Sequence, residues 1–207
     1  CWIDAHDAGF SVVAGWRVDS CTRSCRRRSQ RVGIAVRLNS ETGRGLTIDE
    51  LMDLAKAAGE TSPNRVRKVG VALETSDGAT RMSCSNTFPD GVRDLEERHA
   101  GDGRFIWMEH AERNLIFDAA RRGVALKGAT MATTLYPCID CARAIVQSGV
   151  SHLITPAPDF NEPSWGAAFR ISEVILREGG VRFTAHASAP AAPAGPVAPA
   201  PKLHDLR

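Results

Sequence analysis

The side chains best suited to chemistry occur in two short segments, M-E-H-A-E-R-N-L-I-F and P-C-I-D-C. The first has His110 followed two residues later by Glu112, and the second has Cys138 and Cys141 three residues apart. Two residues of helix correspond to about 200° of rotation, so His110 and Glu112 can converge only beyond the N-terminal end of a helix. Cys138 and Cys141, in contrast, are neighbours on the first turn of a helix. Because imidazole and thiolate are preferred zinc ligands, the sequence predicts a metal site between two helix starts.

The predicted ligand set leaves room for a reaction. Two cysteines and one histidine fill three of the four tetrahedral positions of zinc, which is typical of a catalytic rather than a structural site. Water in the fourth position can have its pKa lowered to about 7. A carboxylate nearby can take a proton from that water and pass it to a leaving group. We therefore predict His110, Cys138 and Cys141 as zinc ligands and Glu112 as the catalytic proton shuttle.

Each motif also has a simpler explanation when it is considered alone. A C-x-x-C pair occurs in redox proteins and in structural zinc sites, where Cys21 and Cys25 could supply two further thiols. Neither of these explanations gives His110 and Glu112 a role. Both motifs together, each at a predicted helix start, favour the catalytic site, and a zinc-binding module without catalysis is the alternative from another functional class.

The elements that must position these residues follow from local patterns. Thr47 and Glu50 have the spacing of a capping box that begins a helix. Alternating strands are predicted on either side of a hairpin turn at residues 76–78. Gly123 and Gly149 are placed to end the His110 and Cys138 helices. The remaining predicted elements are strands at residues 66–74, 80–86, 129–136, 150–155 and 181–185, and a helix at 166–178.

The order of these elements determines the fold class. Strand–helix–strand units in the second half require parallel strands whose crossover helices cover the faces of the sheet. The first two strands form a hairpin and are therefore antiparallel. We predict a three-layer α/β/α sandwich with a mixed central sheet of about five strands.

Composition limits the classes of protein to be considered. The 207 residues are 43% hydrophobic and 24% charged, as expected for one globular domain. A net charge of +2 is too small to indicate a nucleic-acid or membrane surface, and no apolar run approaches the roughly 20 residues of a membrane helix. We expect a soluble, cytoplasmic protein without a nucleic-acid or membrane partner. We place its domain at residues 47–186, between a disordered Arg-rich leader at 1–46 and a disordered Ala/Pro-rich tail at 187–207.

Three longer stretches surround the two motifs: S-N-T-F-P-D-G-V-R-D, E-H-A-E-R-N-L-I-F-D-A-A-R-R-G and T-L-Y-P-C-I-D-C-A-R-A-I-V-Q-S-G-V. H-A-E followed by P-C-x-x-C is a zinc deaminase signature. Together they resemble the cytidine and deoxycytidylate deaminase superfamily, and most closely its deoxycytidylate (dCMP) deaminase-like branch. The resemblance extends roughly from Val66 to Phe183 and implies a cytidine deaminase-like fold.

The resemblance also implies an activity. It implies a zinc-dependent hydrolytic deaminase that converts an aminated pyrimidine nucleotide, dCMP to dUMP, with release of ammonia. It assigns Asn86 to the substrate sugar, makes Phe88 and Tyr136 candidates for the wall of the base pocket, and implies a homo-oligomer.

Some features of the substrate stay open at this point. No pair of phosphate-binding residues stands out, since Arg81, Arg93, Arg104 and Arg143 are all available. Another nucleoside, base or small amino-heterocycle, or tRNA adenosine, is therefore an alternative substrate. Residues 84–87 read C-S-N-T where the branch usually has G-Y-N-G, so the resemblance assigns no nucleotide regulation.

Overall fold

The computed structural model describes residues 33–37, 44–163 and 165–187, and for 33–37 only the backbone. Most of the predicted leader and tail lies outside these ranges, so their disorder and the domain boundaries stay predictions.

The described residues form a mixed α/β structure whose elements alternate along the chain. Its strands and helices are β1 (Gly33–Arg37), α1 (Ile48–Glu60), β2 (Gly70–Glu74), β3 (Thr80–Ser85), a 3₁₀ turn (Glu96–Arg98), α2 (Gly103–Trp107), α3 (Ala111–Arg122), β4 (Thr130–Thr133), α4 (Ile139–Ser148), β5 (His152–Thr155), α5 (Gly166–Glu178) and β6 (Arg182–Ala185).

The strands form one sheet in the order β1-β3-β2-β4-β5-β6. The pairs β1–β3, β2–β3 and β2–β4 are antiparallel, whereas β4–β5 and β5–β6 are parallel. The predicted mixed sheet is thus confirmed. Within the described residues it has one strand more than expected. The additional strand, β1, lies inside the predicted leader, where the sequence shows no clear apolar period.

Alternating residues along the strands face two separate hydrophobic layers. Val71 and Leu73 of β2 belong to a large core that includes residues of α3, α4 and α5. Ala72, between them, packs with Ala132, Ile154 and the buried residues of α1. Because strand side chains alternate between the two faces of a sheet, α1 covers one face and α3, α4 and α5 cover the opposite face. This arrangement is the predicted three-layer α/β/α sandwich.

Close contact between α1 and the sheet depends on a glycine at the start of β2. A Cβ atom placed on Gly70 would lie 1.9 Å from the backbone oxygen of Ala55. That distance is far below van der Waals contact, so any side chain at residue 70 would force α1 away from the sheet.

The structure contains the helix start at Thr47 and the two glycine helix ends that the sequence predicts. The Thr47 side chain accepts a hydrogen bond from the backbone N–H of Glu50, whose carboxylate accepts one from the backbone N–H of Thr47. Gly123 and Gly149 end α3 and α4 with φ values of 66° and 81°. These left-handed conformations favour glycine.

Two segments differ from the sequence-based expectation. Strand β2 begins at Gly70 rather than at residue 66, because the Asn64 side chain accepts hydrogen bonds from the backbone N–H groups of Val66 and Arg67. This Asx-type turn offers the backbone an alternative to strand pairing. The 3₁₀ turn and α2, in the charged stretch before His110, were not predicted. None of the helices in the described ranges is long and apolar enough to cross a membrane.

Candidate metal and catalytic centre

The first turns of α3 and α4 bring the predicted metal ligands together. His110 is the N-cap of α3 and Cys138 is the N-cap of α4, and neither side chain caps its own helix. The Nδ1 atom of His110 lies 3.5 Å from Cys138 Sγ and 3.4 Å from Cys141 Sγ. Residues that are 28 or 31 positions apart in the sequence thus form one compact group.

The geometry of this group suits a tetrahedral zinc ion. The three ligand atoms all lie within 4.8 Å of one another. With Zn–S bonds of about 2.3 Å and Zn–N bonds of about 2.0–2.1 Å, a tetrahedral site requires an S···N separation of about 3.6 Å. The observed separations of 3.4 and 3.5 Å agree with this value. The residues present therefore fit zinc, with three protein ligands and one open position.

The three side chains share their protons unequally. A hydrogen bond with Cys141, followed by the interaction with His110, holds the pKa of the Cys138 thiol at about 3. The same hydrogen bond, together with burial, raises the pKa of Cys141. The hydrogen bond to Cys138 raises the pKa of His110 to about 9, although burial opposes the charge. At neutral pH Cys138 is thus a thiolate paired with a protonated imidazole, and the N-terminal end of α4 further favours this thiolate.

Glu112 lies on the first turn of α3 with only 3% of its surface exposed. Burial raises the pKa of its carboxyl group, against the opposing effect of the His110 charge. No lysine or arginine among the described residues forms an ion pair with it. A buried carboxyl group with a raised pKa, next to candidate metal ligands, is suited to proton transfer.

A cleft opens above this centre. His110, Glu112 and Cys138 form part of its lining. The other lining residues include two buried asparagines, two arginines and several aromatic side chains: Asn64, Asn86, Arg67, Arg104, Phe105, Tyr136, Trp165 and Phe169. The cleft therefore combines an apolar wall with polar and cationic groups.

Asn86 lines the cleft, but most of its side chain is used within the fold. Its Oδ1 atom accepts hydrogen bonds from Ser62 Oγ at 2.7 Å and from the backbone N–H of Val69 at 2.8 Å. Its Nδ2 atom donates to the backbone oxygen of Arg67 at 3.0 Å. An amide group has two N–H donors, so one remains for a ligand. Contact of Asn86 with a substrate stays a prediction.

The two aromatic candidates occupy different positions. Tyr136 lines the cleft, and its ring packs edge-on against Phe169 at a centroid distance of 5.4 Å. Phe88 is buried, and its ring centroid lies 5.3 Å from that of His99. It does not appear among the lining residues described for the cleft. The structure therefore includes Tyr136, and not Phe88, in the described lining of the cleft, and contact of either residue with a base stays a prediction.

The structure distinguishes between the four arginines that the sequence offers as candidates for binding phosphate. Arg81 forms an ion pair with Glu74 at 2.9 Å, and Arg143 pairs with Asp140 at the surface. Of the four candidates, Arg104 is the one that lines the described cleft, where its guanidinium group stacks on Phe105 at 4.5 Å.

Several residues of the cleft were not predicted from the sequence, namely Asn64, Arg67, Phe105, Trp165 and Phe169. The S-P-N-R segment at residues 62–65 gave a turn signal for Asn64. Nothing in the local pattern indicated that Arg67 or Trp165 would face the same space as His110.

Comparison with known proteins agrees with this centre. A family model described as the cytidine and deoxycytidylate deaminase zinc-binding region matches residues 47–156, which contain His110, Glu112, Cys138 and Cys141. The chain belongs to this family. Its zinc-binding character agrees with the His/Cys/Cys group, so zinc is the metal that this group can hold.

Individual relatives lie in the deoxycytidylate deaminase branch. The chain is 47% identical over 73 residues to deoxycytidylate deaminase of Enterobacteria phage T2, an alignment that covers 35% of each protein. It is 25% identical over 138 residues to the human deoxycytidylate deaminase, covering 64% of this chain and 75% of the human protein. The dCMP deaminase of cyanophage S-TIM5, solved in complex with dCMP and dUMP, superposes with a TM-score of 0.52 at 22% identity, covering 65% of this chain and 93% of the phage protein.

These relationships define the fold and the branch. The similarity to the cyanophage structure supports the predicted cytidine deaminase-like fold. Because the chain matches only about a third of the phage T2 relative, its own activity and substrate have to be argued from the site.

Proposed function

We propose that this protein is a zinc-dependent hydrolytic deaminase of a pyrimidine nucleotide, with dCMP as substrate and dUMP and ammonia as products. The observation that carries the proposal is the buried carboxyl group of Glu112 beside the His110, Cys138 and Cys141 group, at the base of a cleft. A purely structural zinc site has no use for such a carboxyl group.

In the proposed reaction the metal would provide the attacking water and Glu112 would transfer the protons. A zinc ion held by His110, Cys138 and Cys141 would supply a water molecule whose pKa is lowered to about 7. Glu112 would take one proton from this water and deliver it to the ring nitrogen of the pyrimidine, and would then take the second proton from the new hydroxyl group and deliver it to the departing amine. A C–O bond forms at the carbon that carries the amino group, the C–N bond breaks, and ammonia leaves. Burial raises the pKa of Glu112, which makes its carboxyl group a better proton acceptor than the carboxyl group of an exposed glutamate.

The cleft suggests how a nucleotide is recognised. Tyr136, with Phe169 behind it, offers an aromatic surface for the base. The remaining N–H of Asn86 is available for the sugar. Arg67 and Arg104 line the same cleft, and neither forms an ion pair with a carboxylate in the described parts of the chain. Arginine binds phosphate through paired hydrogen bonds, so these residues favour a nucleoside monophosphate over a nucleoside or a free base. The cyanophage relative solved with dCMP and dUMP supports this choice.

The proposal is tested by measuring ammonia release from dCMP, CMP, deoxycytidine, cytidine and cytosine, with the zinc content of the protein determined in parallel. We expect turnover to be fastest with dCMP and to be lost in Glu112→Ala. If a zinc-loaded protein released ammonia from none of the five compounds, the choice of substrate would be contradicted. Full activity of Glu112→Ala would contradict the mechanism.

We further propose that the protein acts as a homo-oligomer, as the resemblance implies. Light scattering of the purified chain, with and without dCMP, tests this point. A monomer at micromolar concentration that is fully active would contradict it.

A further inference from the structure

Arg113 connects the two segments that carry the metal ligands. It lies on the first turn of α3, three residues after His110, and 28% of its side chain is exposed. Its guanidinium group is 2.5 Å from the carboxylate of Glu109, which directly precedes His110. It is also 3.8 Å from the carboxylate of Asp140, which lies between Cys138 and Cys141. One cation thus spans the His110 segment and the Cys138–Cys141 segment.

Part of this guanidinium group is buried without a conventional partner. The Nε atom of Arg113 is fully buried and has no hydrogen bond among the described residues. Leaving a buried donor of a charged group unpaired is costly, so such a donor is expected to face negative charge. The ion pairs with Glu109 and Asp140 account for the terminal nitrogens and leave Nε unexplained.

The causes of the pKa shift of Arg113 indicate which negative charges lie near its guanidinium group. Burial lowers the pKa of its guanidinium group, but Glu109, Cys141 and Cys138 outweigh this effect and raise it. This agrees with the position of the guanidinium group between Glu109, which precedes His110, and Asp140, which lies between the two cysteines.

We propose that Arg113 is a positioning residue of the metal site: it holds the two ligand segments together and places a positive charge beside the Cys138 and Cys141 thiolates. A charge in this position stabilises the sulfur lone pairs and weakens their donation to a bound metal ion, which leaves that ion a stronger Lewis acid. The inference rests on the proposed metal site, and it is independent of the identity of the substrate.

Arginine suits this role better than lysine. Its planar group presents five N–H donors, so it can contact Glu109 and Asp140 while Nε–H remains available. A lysine ammonium group carries the same charge but has no rigid fork, so it can reproduce the charge effect and not the whole set of contacts.

The test replaces zinc with Co²⁺, whose thiolate-to-metal charge-transfer band reports the energy of the sulfur lone pairs. The band is recorded for the wild-type chain and for Arg113→Met, Arg113→Lys and Arg143→Gln. Arg143 also pairs with Asp140, but 62% of its side chain is exposed, so Arg143→Gln is the matched control. If Arg113→Met does not fold, as judged by circular dichroism, Arg113→Gln takes its place as the neutral variant.

We expect the band of Arg113→Met to move to longer wavelength, the band of Arg113→Lys to stay near that of the wild-type chain, and the band of Arg143→Gln to be unchanged. A neutral variant that binds one Co²⁺ with the wild-type spectrum would overturn the proposal, as would Arg113→Lys shifting as far as Arg113→Met. The readout needs no turnover, so it remains decisive even if the protein does not deaminate dCMP. A wild-type chain that binds no Co²⁺ would instead refute the metal site itself.

Discussion

His110 Nδ1 lies 3.5 Å from Cys138 Sγ because each of these residues is the N-cap of a helix and the two helices, α3 and α4, begin side by side. The positive ends of two helix dipoles therefore point towards the same small volume. This arrangement favours thiolate over thiol before any metal is present. It also explains why a histidine and a glutamate stand two residues apart at the start of an otherwise ordinary amphipathic helix.

The first prediction concerns the protons released when zinc binds. With a pKa of about 3 for Cys138 and about 9 for His110, the thiol of Cys138 is already ionised at neutral pH and the imidazole is protonated. Cys141, whose pKa is raised, is still a thiol. Zinc requires two thiolates and a neutral imidazole, so binding should release about two protons, from Cys141 and His110.

The pH dependence follows with a definite sign. Because about two protons are lost, zinc affinity should rise about 100-fold per pH unit through the neutral range. Above the pKa of His110 the rise should fall to about 10-fold per pH unit, because only the Cys141 proton is then still released. Calorimetry in two buffers of different ionisation enthalpy counts the protons directly. Cys84 should not contribute, because burial raises the pKa of its thiol to about 12, and Cys84→Ala is the control. Zinc binding without net proton release would contradict this assignment.

The second prediction separates the roles of Glu112 and the metal ligands. Glu112→Gln keeps the shape of the side chain but cannot move a proton, so kcat should fall by about 10²–10⁴-fold. Zinc content should stay near that of the wild-type protein, because the carboxyl group is not one of the three atoms that could hold the metal. Cys138→Ser should instead lose the metal. Loss of zinc in Glu112→Gln, measured by elemental analysis, would show that Glu112 is a ligand.

The centre could be predicted from the sequence because its signals are local. The spacings of His110 with Glu112 and of Cys138 with Cys141, together with the helix-start patterns, need no knowledge of distant contacts. The lining of the cleft is different. Arg67 and Trp165 lie about a hundred residues apart, and only the assembled sheet brings them to the same space as His110.

Two further features of the structure have physical causes that short sequence patterns do not reveal. The family resemblance assigns Asn86 to the substrate sugar, which stays a prediction, and the structure adds that its side-chain oxygen accepts hydrogen bonds from Ser62 and from the backbone of Val69. Strand β1 gains its structure by pairing with β3, whose neighbour on the other side is β2. An edge strand of this kind depends on its partner more than on its own periodicity.

The third prediction tests the capping box of α1, which the sequence predicts and the structure contains. Thr47→Ala removes the side-chain acceptor of the capping box of α1, so the free energy of unfolding should fall by about 1 kcal/mol. Urea denaturation should show a lower midpoint with an unchanged slope. Lys56→Ala, which removes only an exposed ion pair with Asp53 on the same helix, should change stability by less than about 0.5 kcal/mol. Equal effects of the two substitutions would show that the cap contributes nothing specific.

The last prediction concerns recognition of a phosphate by Arg67 and Arg104. Arg67→Met and Arg104→Met keep the apolar stem of each side chain, including the stem beside Phe105, but remove the charge. A hydrogen bond to a charged group contributes about 1.5–3 kcal/mol. Each substitution should therefore weaken dCMP binding by about 10-fold or more, seen as a higher KM with little change in kcat. The binding of deoxycytidine, measured as an inhibition constant, should hardly change because it has no phosphate to lose.

Arg143→Met is the matched control, since its guanidinium group pairs with Asp140 at the surface outside the described lining of the cleft. An equal loss of affinity for dCMP and deoxycytidine in the Arg67 and Arg104 variants would mean that these arginines only shape the cleft. No loss for either compound would mean that the phosphate is bound elsewhere. A loss confined to dCMP would make the two arginines the reason that this cleft selects a nucleotide, because the base and sugar contacts are the same in both compounds.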